Sequence, residues 1–130
     1  MARAAVDHLR DVLEAIAAIE GYTGEGKREF DRNPMLRDAV VARLIQIGQA
    51  VKDAQAEGLD LPRLSPDIEW HNIAGMRDKL AHKYWQLDTA IVWVVVEREL
   101  PRLRVAAEAL TPTRAPSPAR RGTRVRDRNR

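Results

Sequence analysis

The apolar residues of this chain recur at the spacing of an α-helix, and this pattern constrains the fold more than any other feature. The clearest stripe follows Asn33, a favoured N-cap, and Pro34, which suits the first position of a helix. Its apolar positions are Leu36, Val40, Leu44, Ile47 and Val51. The stripe predicts a helix that begins near residue 33 and stops near Gly58.

Two further segments show the same periodicity. The first runs from about Arg3 to Glu20 and precedes a cluster of glycines at positions 21, 24 and 26, which we expect to end the helix. Residues 59–64 are predicted to be a connector that contains Pro62. The sequence Ser65-Pro66-Asp67 is then a start signal for a helix that carries apolar positions up to Leu80.

The fourth segment covers residues 88–110. Its run from Ile91 to Val96 is rich in β-branched residues and, taken alone, would suit a strand. A helical stripe nevertheless continues through it at Val92, Val96, Leu100, Leu103 and Ala107. Pro101 should kink this helix or divide it. Since no partner strand is recognisable elsewhere, we predict an all-α bundle of four to five helices.

Composition excludes several classes of protein. The chain of 130 residues has no cysteine, so disulfide frameworks, thiolate metal sites and cysteine nucleophiles are excluded. The longest apolar run, residues 90–96, is too short to span a bilayer, and charges at Arg3, Asp7 and Arg10 do not fit a signal peptide. We therefore expect a cytoplasmic protein without a membrane segment.

The net charge of +3 is unevenly distributed. Residues 111–130 carry seven arginines against one aspartate, or +6, so the first 110 residues carry −3. This segment also holds three prolines and almost no apolar residues, which predicts disorder. We expect a folded domain at residues 1–110 and a tail at residues 111–130. The tail could bind RNA phosphates or be a solvated extension without a specific role.

Residues 70–85 contain the most informative pattern: Arg77, four residues, His82, one residue, Tyr84. This pattern resembles the R-x-x-x-x-H-x-Y signature of the HepT-like branch of the HEPN superfamily. The sequence from Trp70 to Trp93 is similar to that family too, as are residues 38–40, residues 45–48 and Leu100-Pro101. The similarity spans residues 6–110. Gln49 departs from it, since family members often have an acidic residue there.

The resemblance implies a HEPN-type bundle that acts as a homodimer. It implies the toxin of a toxin–antitoxin system, a metal-independent endoribonuclease that cleaves RNA and needs no cofactor. It further implies a minimal nucleotidyltransferase antitoxin that neutralises the toxin and can transfer AMP to Tyr84. An AMP group there would place a bulky anion beside Arg77.

The residue types suit RNA cleavage by the 2′-hydroxyl. Histidine titrates near neutrality, so His82 is predicted to be a general acid or base. The planar guanidinium of Arg77 is predicted to hold the phosphate and neutralise the phosphorane. Asp78, four residues before His82, could orient the imidazole. Tyr84 could donate a hydrogen bond to a phosphate or stack on a base.

Helix geometry complicates this site. Arg77 and Tyr84 share a face of an ideal helix, whereas His82 lies about 140° around the axis from Arg77. Either the helix ends or distorts near Ala81, or a second molecule completes the site. A metal centre is not expected, because His71 and His82 would lie about 16 Å apart along a helix.

Other interpretations remain open from the residues alone. Arg77 could form a surface ion pair with a nearby carboxylate, and His82 could be a structural histidine. The chain could be a non-catalytic HEPN interaction module that binds a nucleotidyltransferase partner or a nucleotide. It could also bind RNA through its arginine tail alone.

Overall fold

The computed structural model describes residues 4–82, 86 and 88–112. These residues form helices and connections, with no strand among them. In chain order the helices are α1 (Ala5–Tyr22), α2 (Lys27–Arg32), α3 (Pro34–Ala56), α4 (Leu61–Leu64), α5 (Trp70–His82), α6 (Thr89–Val94) and α7 (Leu100–Leu110), with a π-helical turn at Val95–Glu99 between the last two. None of the described helices is long and apolar enough to cross a membrane. Tyr84 and the tail beyond Pro112 lie outside the described residues.

The long helix α3 lies between its two main neighbours, α1 and α5, and α7 packs against α1. The predicted stripe of α3 faces this core, where Val40, Leu44, Ile47 and Val51 are buried and Leu36 is partly buried. The stripe of α1 is buried beside it. Each such side chain contributes about 1.5–3 kcal/mol when fully removed from water. The all-α prediction is confirmed, because these stripes pack against one another as helices.

The start of α3 is as predicted. Asn33 accepts a hydrogen bond on its side-chain oxygen from the backbone N–H of Leu36, at 3.1 Å, and Pro34 occupies the first turn. The side-chain amide of Asn33 donates to Glu29, also at 3.1 Å. Hydrogen bonds from Arg32 and Asn33 lower the pKa of Glu29 below its usual value. These contacts fix the entry of the chain into α3.

The short helix α2 was not predicted. It follows Gly26, whose φ of 93° is a conformation that favours glycine. Its residue Phe30 is fully buried, and the Phe30 ring lies 5.2 Å from the ring of Trp93, centroid to centroid. Helix α2 therefore closes the core between α3 and α6.

The predicted start of the third long helix at Ser65 was wrong, because α5 begins at Trp70. The backbone oxygen of Ser65 accepts hydrogen bonds from the N–H of Ile68, at 3.3 Å, and from the indole of Trp70, at 2.8 Å. The chain therefore turns between these residues. The buried Trp70 fixes the point at which α5 starts. The predicted connector also contains the single-turn helix α4.

The last helical segment passes through Pro101 without the predicted break, and a π-helical turn at Val95–Glu99 precedes the proline. Proline has no N–H to donate to a carbonyl of the preceding turn, and its ring crowds that turn. The π-helical turn at Val95–Glu99 lies directly before it and accommodates the change in hydrogen bonding. Val92, Leu100, Leu103 and Ala107 remain buried on one side of this segment, which confirms the helical stripe.

Candidate active site

Helix α5 carries the predicted site residues that the structure describes. Arg77 and Asp78 lie in its second half, and His82 is its last residue. All three side chains are exposed at the surface. The helix therefore presents a cation and an imidazole to solvent, while its buried residues Trp70 and Leu80 attach it to the core.

Gly48 of α3 determines how closely α5 packs against the core. A Cβ atom at position 48 would lie 2.9 Å from the backbone nitrogen of Arg77 and 2.9 Å from the backbone oxygen of Ile73. Such distances are shorter than real Cβ contacts, and backbone atoms of a packed helix cannot easily move away. The absence of a side chain at Gly48 thus allows the backbone of Arg77 to rest against α3.

Arg77 and Asp78 form an ion pair, in which Nη1 of Arg77 lies 2.7 Å from Oδ1 of Asp78. The two side chains are 45% and 53% exposed, so the pair contributes little to stability. This is the surface ion pair that a purely structural role for Arg77 would produce. A guanidinium has several N–H groups, however, and one bond to Asp78 leaves others for a phosphate. The orienting role of Asp78 towards His82 stays a prediction.

The spacing of Arg77 and His82 along α5 bears on the geometric difficulty of the motif. Five residues of helix separate Arg77 from His82 by about 7.5 Å along the axis and about 140° around it. Helix α5 therefore does not place the two side chains on one face. His82 is the last residue that the structure describes in this stretch, and its side chain is exposed.

An apolar groove of about 930 Å³ lies beside His82, between α5 and the segment from α6 to α7. Its apolar wall includes Ile73, Met76, Leu80, Val92, Val95 and Leu103. Charged side chains also line it: Glu69, Asp78, Asp88 and Glu99 are acidic, whereas Lys79 and Arg102 are basic. We call this feature the α5–α7 groove. Ile91, also in the lining, is 64% exposed, so the groove continues onto an uncovered apolar surface.

Gln49 follows Gly48 on α3. Its side-chain amide donates a hydrogen bond to Oδ1 of Asp53, at 2.8 Å. A glutamine cannot supply negative charge, but this bond holds it next to a carboxylate one helical turn further along.

Two features of this region were not predicted from the sequence. Gly48 was noted only as part of the family resemblance. A glycine inside a long helix lowers helix stability by about 1 kcal/mol relative to alanine, so its presence there indicates that close packing requires it. The α5–α7 groove brings together residues from Leu44 to Leu103, and no local pattern indicates such a grouping.

A known protein family matches the helical part of the chain. The model of the "Ribonuclease HepT-like" family matches residues 12–110. The chain belongs to the HepT-like ribonuclease family. The matched range contains α5 with Arg77 and His82 and stops at the end of α7, so it leaves the arginine tail outside.

Curated relatives cover most of the chain. A protein of Thermococcus cleftensis named "Probable ribonuclease HepT" is 37% identical over 111 residues, which are 85% of this chain and 98% of the relative. A protein of Caldanaerobacter subterraneus named "Putative RNase" is 35% identical over 98 residues, 75% of this chain and 83% of the relative. No solved structure matches the chain.

The contact at Gly48 gives a testable prediction. In Gly48→Ala, the added methyl group meets the backbones of Ile73 and Arg77, so we expect a loss of about 1–3 kcal/mol in the free energy of unfolding. Urea denaturation followed by circular dichroism measures this loss.

Gly75→Ala is the matched control, because a Cβ at position 75 of α5 has no atom within 4 Å. This substitution should stabilise the protein by about 0.5–1 kcal/mol through helix propensity. Equal effects of the two substitutions would contradict the close packing of α3 on α5.

Proposed function

We propose that this protein is a metal-independent endoribonuclease of the cytoplasm, in which Arg77 and His82 are the catalytic residues. The observation that carries the proposal is the exposure of both side chains on α5, within the range that matches the HepT-like ribonuclease family. The names of the relatives agree with a ribonuclease. Metal independence and the roles of the two residues are the parts that experiment has to establish.

The proposed reaction is transesterification within the RNA strand. A base removes the proton of the 2′-hydroxyl, whose oxygen attacks the adjacent phosphorus. The bond from phosphorus to the 5′-oxygen then breaks, and an acid protonates the leaving oxygen. The products are a 2′,3′-cyclic phosphate and a 5′-hydroxyl. His82 transfers one of the protons, and Arg77 neutralises the phosphorane through N–H groups that Asp78 does not occupy.

The first prediction of this proposal concerns cleavage of a labelled RNA pool in EDTA. Wild type should leave 2′,3′-cyclic phosphate ends. His82→Ala and Arg77→Ala should each lower the cleavage rate by about 10²–10⁴-fold, since each removes a proton-transfer or charge-stabilising group. Gel electrophoresis and end-group analysis measure both quantities.

Arg98→Ala is the charge-matched control, because Arg98 is an exposed arginine in the π-helical turn and does not line the α5–α7 groove. It should cleave at the rate of wild type. Arg77→Lys should remain impaired, because lysine cannot make the bidentate contact. Absence of cleavage by wild type, or equal cleavage by all variants, would refute the ribonuclease proposal.

A homodimer is part of the proposal. One His82 can serve only one of the two proton transfers at a time, and α5 does not place Arg77 and His82 on one face. A second copy would bring another pair of these residues to the same phosphate. The uncovered apolar surface at Ile91, which is 64% exposed, and Val94, which is 44% exposed, supports a partner chain beside His82.

Mixing two inactive variants tests the shared site. Heterodimers of Arg77→Ala with His82→Ala would contain one intact Arg77 and one intact His82, from different chains. Co-expressed with two different tags and purified through both, they should regain part of the cleavage that either variant lacks alone. Light scattering should give the mass of a dimer. A monomeric mass, or no recovery in a confirmed heterodimer, would contradict a composite site.

The proposal also includes regulation by an antitoxin. The toxin would be neutralised by a minimal nucleotidyltransferase that attaches AMP to Tyr84, a residue outside the described part of the structure. Tyr84 lies two positions after His82 in sequence, so an added phosphate would stand close to the catalytic residues. An anion there would compete with the RNA phosphate for Arg77.

Intact-mass spectrometry after incubation with the nucleotidyltransferase and ATP tests this modification. Wild type should gain mass in steps of one AMP group and lose its ribonuclease activity. Tyr84→Phe should gain none. Tyr22→Phe is the matched control, since the chain has two tyrosines, and it should be modified as wild type is. Equal modification of Tyr84→Phe would place the acceptor elsewhere.

A non-catalytic interaction module is the second candidate. Gln49, which replaces the acidic residue expected there, and the ion pair that already engages Arg77 favour it. Such a module would bind the nucleotidyltransferase or a nucleotide and would leave RNA intact in the cleavage assay.

A further inference from the structure

Lys79 lies beside His82 on α5, and both residues line the α5–α7 groove. Three residues of helix separate them by about 4.5 Å along the axis and about 60° around it, so their side chains are neighbours on one face. Arg77 is not among the groove-lining residues that the structure describes. The cation that helix geometry places on the groove side of His82 is therefore Lys79.

The ammonium group of Lys79 is available to a ligand. Its side chain is exposed, and within the described part of the chain no ion pair or side-chain hydrogen bond engages it. A lysine on a helix usually finds a carboxylate three or four residues away. In the sequence, the positions at these distances hold Gly75, Met76, His82 and Lys83, none of which is acidic.

The other cation in the lining of the groove is already engaged. The guanidinium of Arg102 donates a hydrogen bond to the backbone oxygen of Asp67, at 2.9 Å, and lies 3.7 Å from the carboxylate of Glu99. These contacts hold Arg102 against its own surroundings. Lys79 has no comparable contact among the described residues, so the two cations of the lining differ in what they can bind.

Carboxylates of the lining also have partners other than Lys79. Asp78 accepts a hydrogen bond from Arg77, at 2.7 Å, and Asp88 accepts one from the backbone N–H of Ala90, at 2.9 Å. The positive charge of Lys79 is therefore not neutralised by these groups. An anion that reaches His82 from the groove side meets this charge first.

The place of Lys79 on the helix suits a phosphate of the RNA backbone. Met76, Lys79 and His82 follow one another at intervals of three residues and all line the groove, so Lys79 lies between an apolar wall and the imidazole. A strand that presents its 2′-hydroxyl or its leaving oxygen to His82 carries a further negative charge at each neighbouring nucleotide. The lysine ammonium has three donors on a flexible stem, and it can bind such a phosphate without a fixed angle of approach.

We propose that Lys79 is a substrate-binding residue, which holds a phosphate of the RNA strand on the groove side of His82. This inference rests on the proposed ribonuclease function and names a further contact of that same site. The ligand is a phosphodiester of single-stranded RNA, without base recognition. Lys79 contributes affinity for the strand, whereas Arg77 and His82 carry the chemistry.

Salt dependence of binding tests this contact. The probe is a fluorescent 2′-O-methyl oligonucleotide, which lacks the attacking hydroxyl and cannot be cleaved, and its anisotropy is recorded over a series of KCl concentrations. Each phosphate neutralised on a single strand adds about −0.7 to the slope of log K against log salt concentration. Lys79→Gln in the full-length protein should bind about 3–10-fold more weakly at low salt, with a slope shallower by about 0.7.

Two variants serve as controls. Lys79→Arg keeps the positive charge and should retain the affinity and the slope of wild type. Lys52→Gln removes an exposed lysine of α3 that does not line the groove, so it should bind as wild type does. Circular dichroism should give all three variants the thermal transition of wild type, because both lysines are exposed.

Cleavage of natural RNA gives a second readout. Lys79→Gln should raise KM by about the same factor as it weakens binding and should leave kcat within about 2-fold of wild type, because a contact made equally in the bound and transition states changes KM alone. This pattern differs from the loss of kcat that we expect for Arg77→Ala and His82→Ala.

Equal affinity and slope for wild type and Lys79→Gln would overturn the inference. An equal loss of affinity in Lys52→Gln would overturn it as well, since the effect would then belong to overall charge. A fall in kcat with unchanged affinity would also contradict a binding role. Failure of the ribonuclease proposal is a separate result, which shows as absent cleavage of natural RNA by wild type, whereas the anisotropy comparison requires no cleavage.

Discussion

The contact between the backbones of α3 and α5 at Gly48 is the interaction on which the rest of this structure depends. A glycine in the interior of a long helix lowers the stability of that helix by about 1 kcal/mol relative to alanine. At Gly48 the absence of a side chain allows α5 to lie directly against α3. The backbone of Arg77 is consequently fixed from behind, while its guanidinium extends into solvent. The proposed chemistry thus rests on a rigid helix rather than on a loop.

The sequence predicted the long helices well, because their apolar stripes repeat over several turns. Val40, Leu44, Ile47 and Val51 illustrate this, since all four are buried in α3. The short helices α2 and α4 were missed, because six and four residues contain too few turns to show a period. The start of α5 was misplaced for another reason. The indole of Trp70 binds the backbone oxygen of Ser65, and such a contact between side chain and backbone outweighs a local start signal.

The residues of the candidate site could be named from the motif, but their arrangement could not. Because Asp78 lies four residues before His82, the sequence predicted that both side chains share one face of the helix. In the structure, the carboxylate of Asp78 instead accepts a hydrogen bond from the adjacent Arg77. Spacing alone does not decide which neighbour a surface carboxylate binds, because that depends on side-chain rotamers and solvent. The α5–α7 groove was unpredictable for a related reason. Its walls come from α3, α5 and the segment from α6 to α7, so it exists only once the helices have packed.

Cleavage of RNA makes two different physical demands on a protein. Proton transfer needs groups held within a few tenths of an ångström, which a packed helix such as α5 provides. Attraction of a polyanion needs only charge within about a Debye length, roughly 8 Å at physiological salt, and no fixed geometry. In the sequence, the first 110 residues carry a net charge of −3 and residues 111–130 carry +6. The first demand falls on α5 in the proposed ribonuclease, whereas the net charge of −3 on the first 110 residues does not by itself meet the second, since RNA is a polyanion.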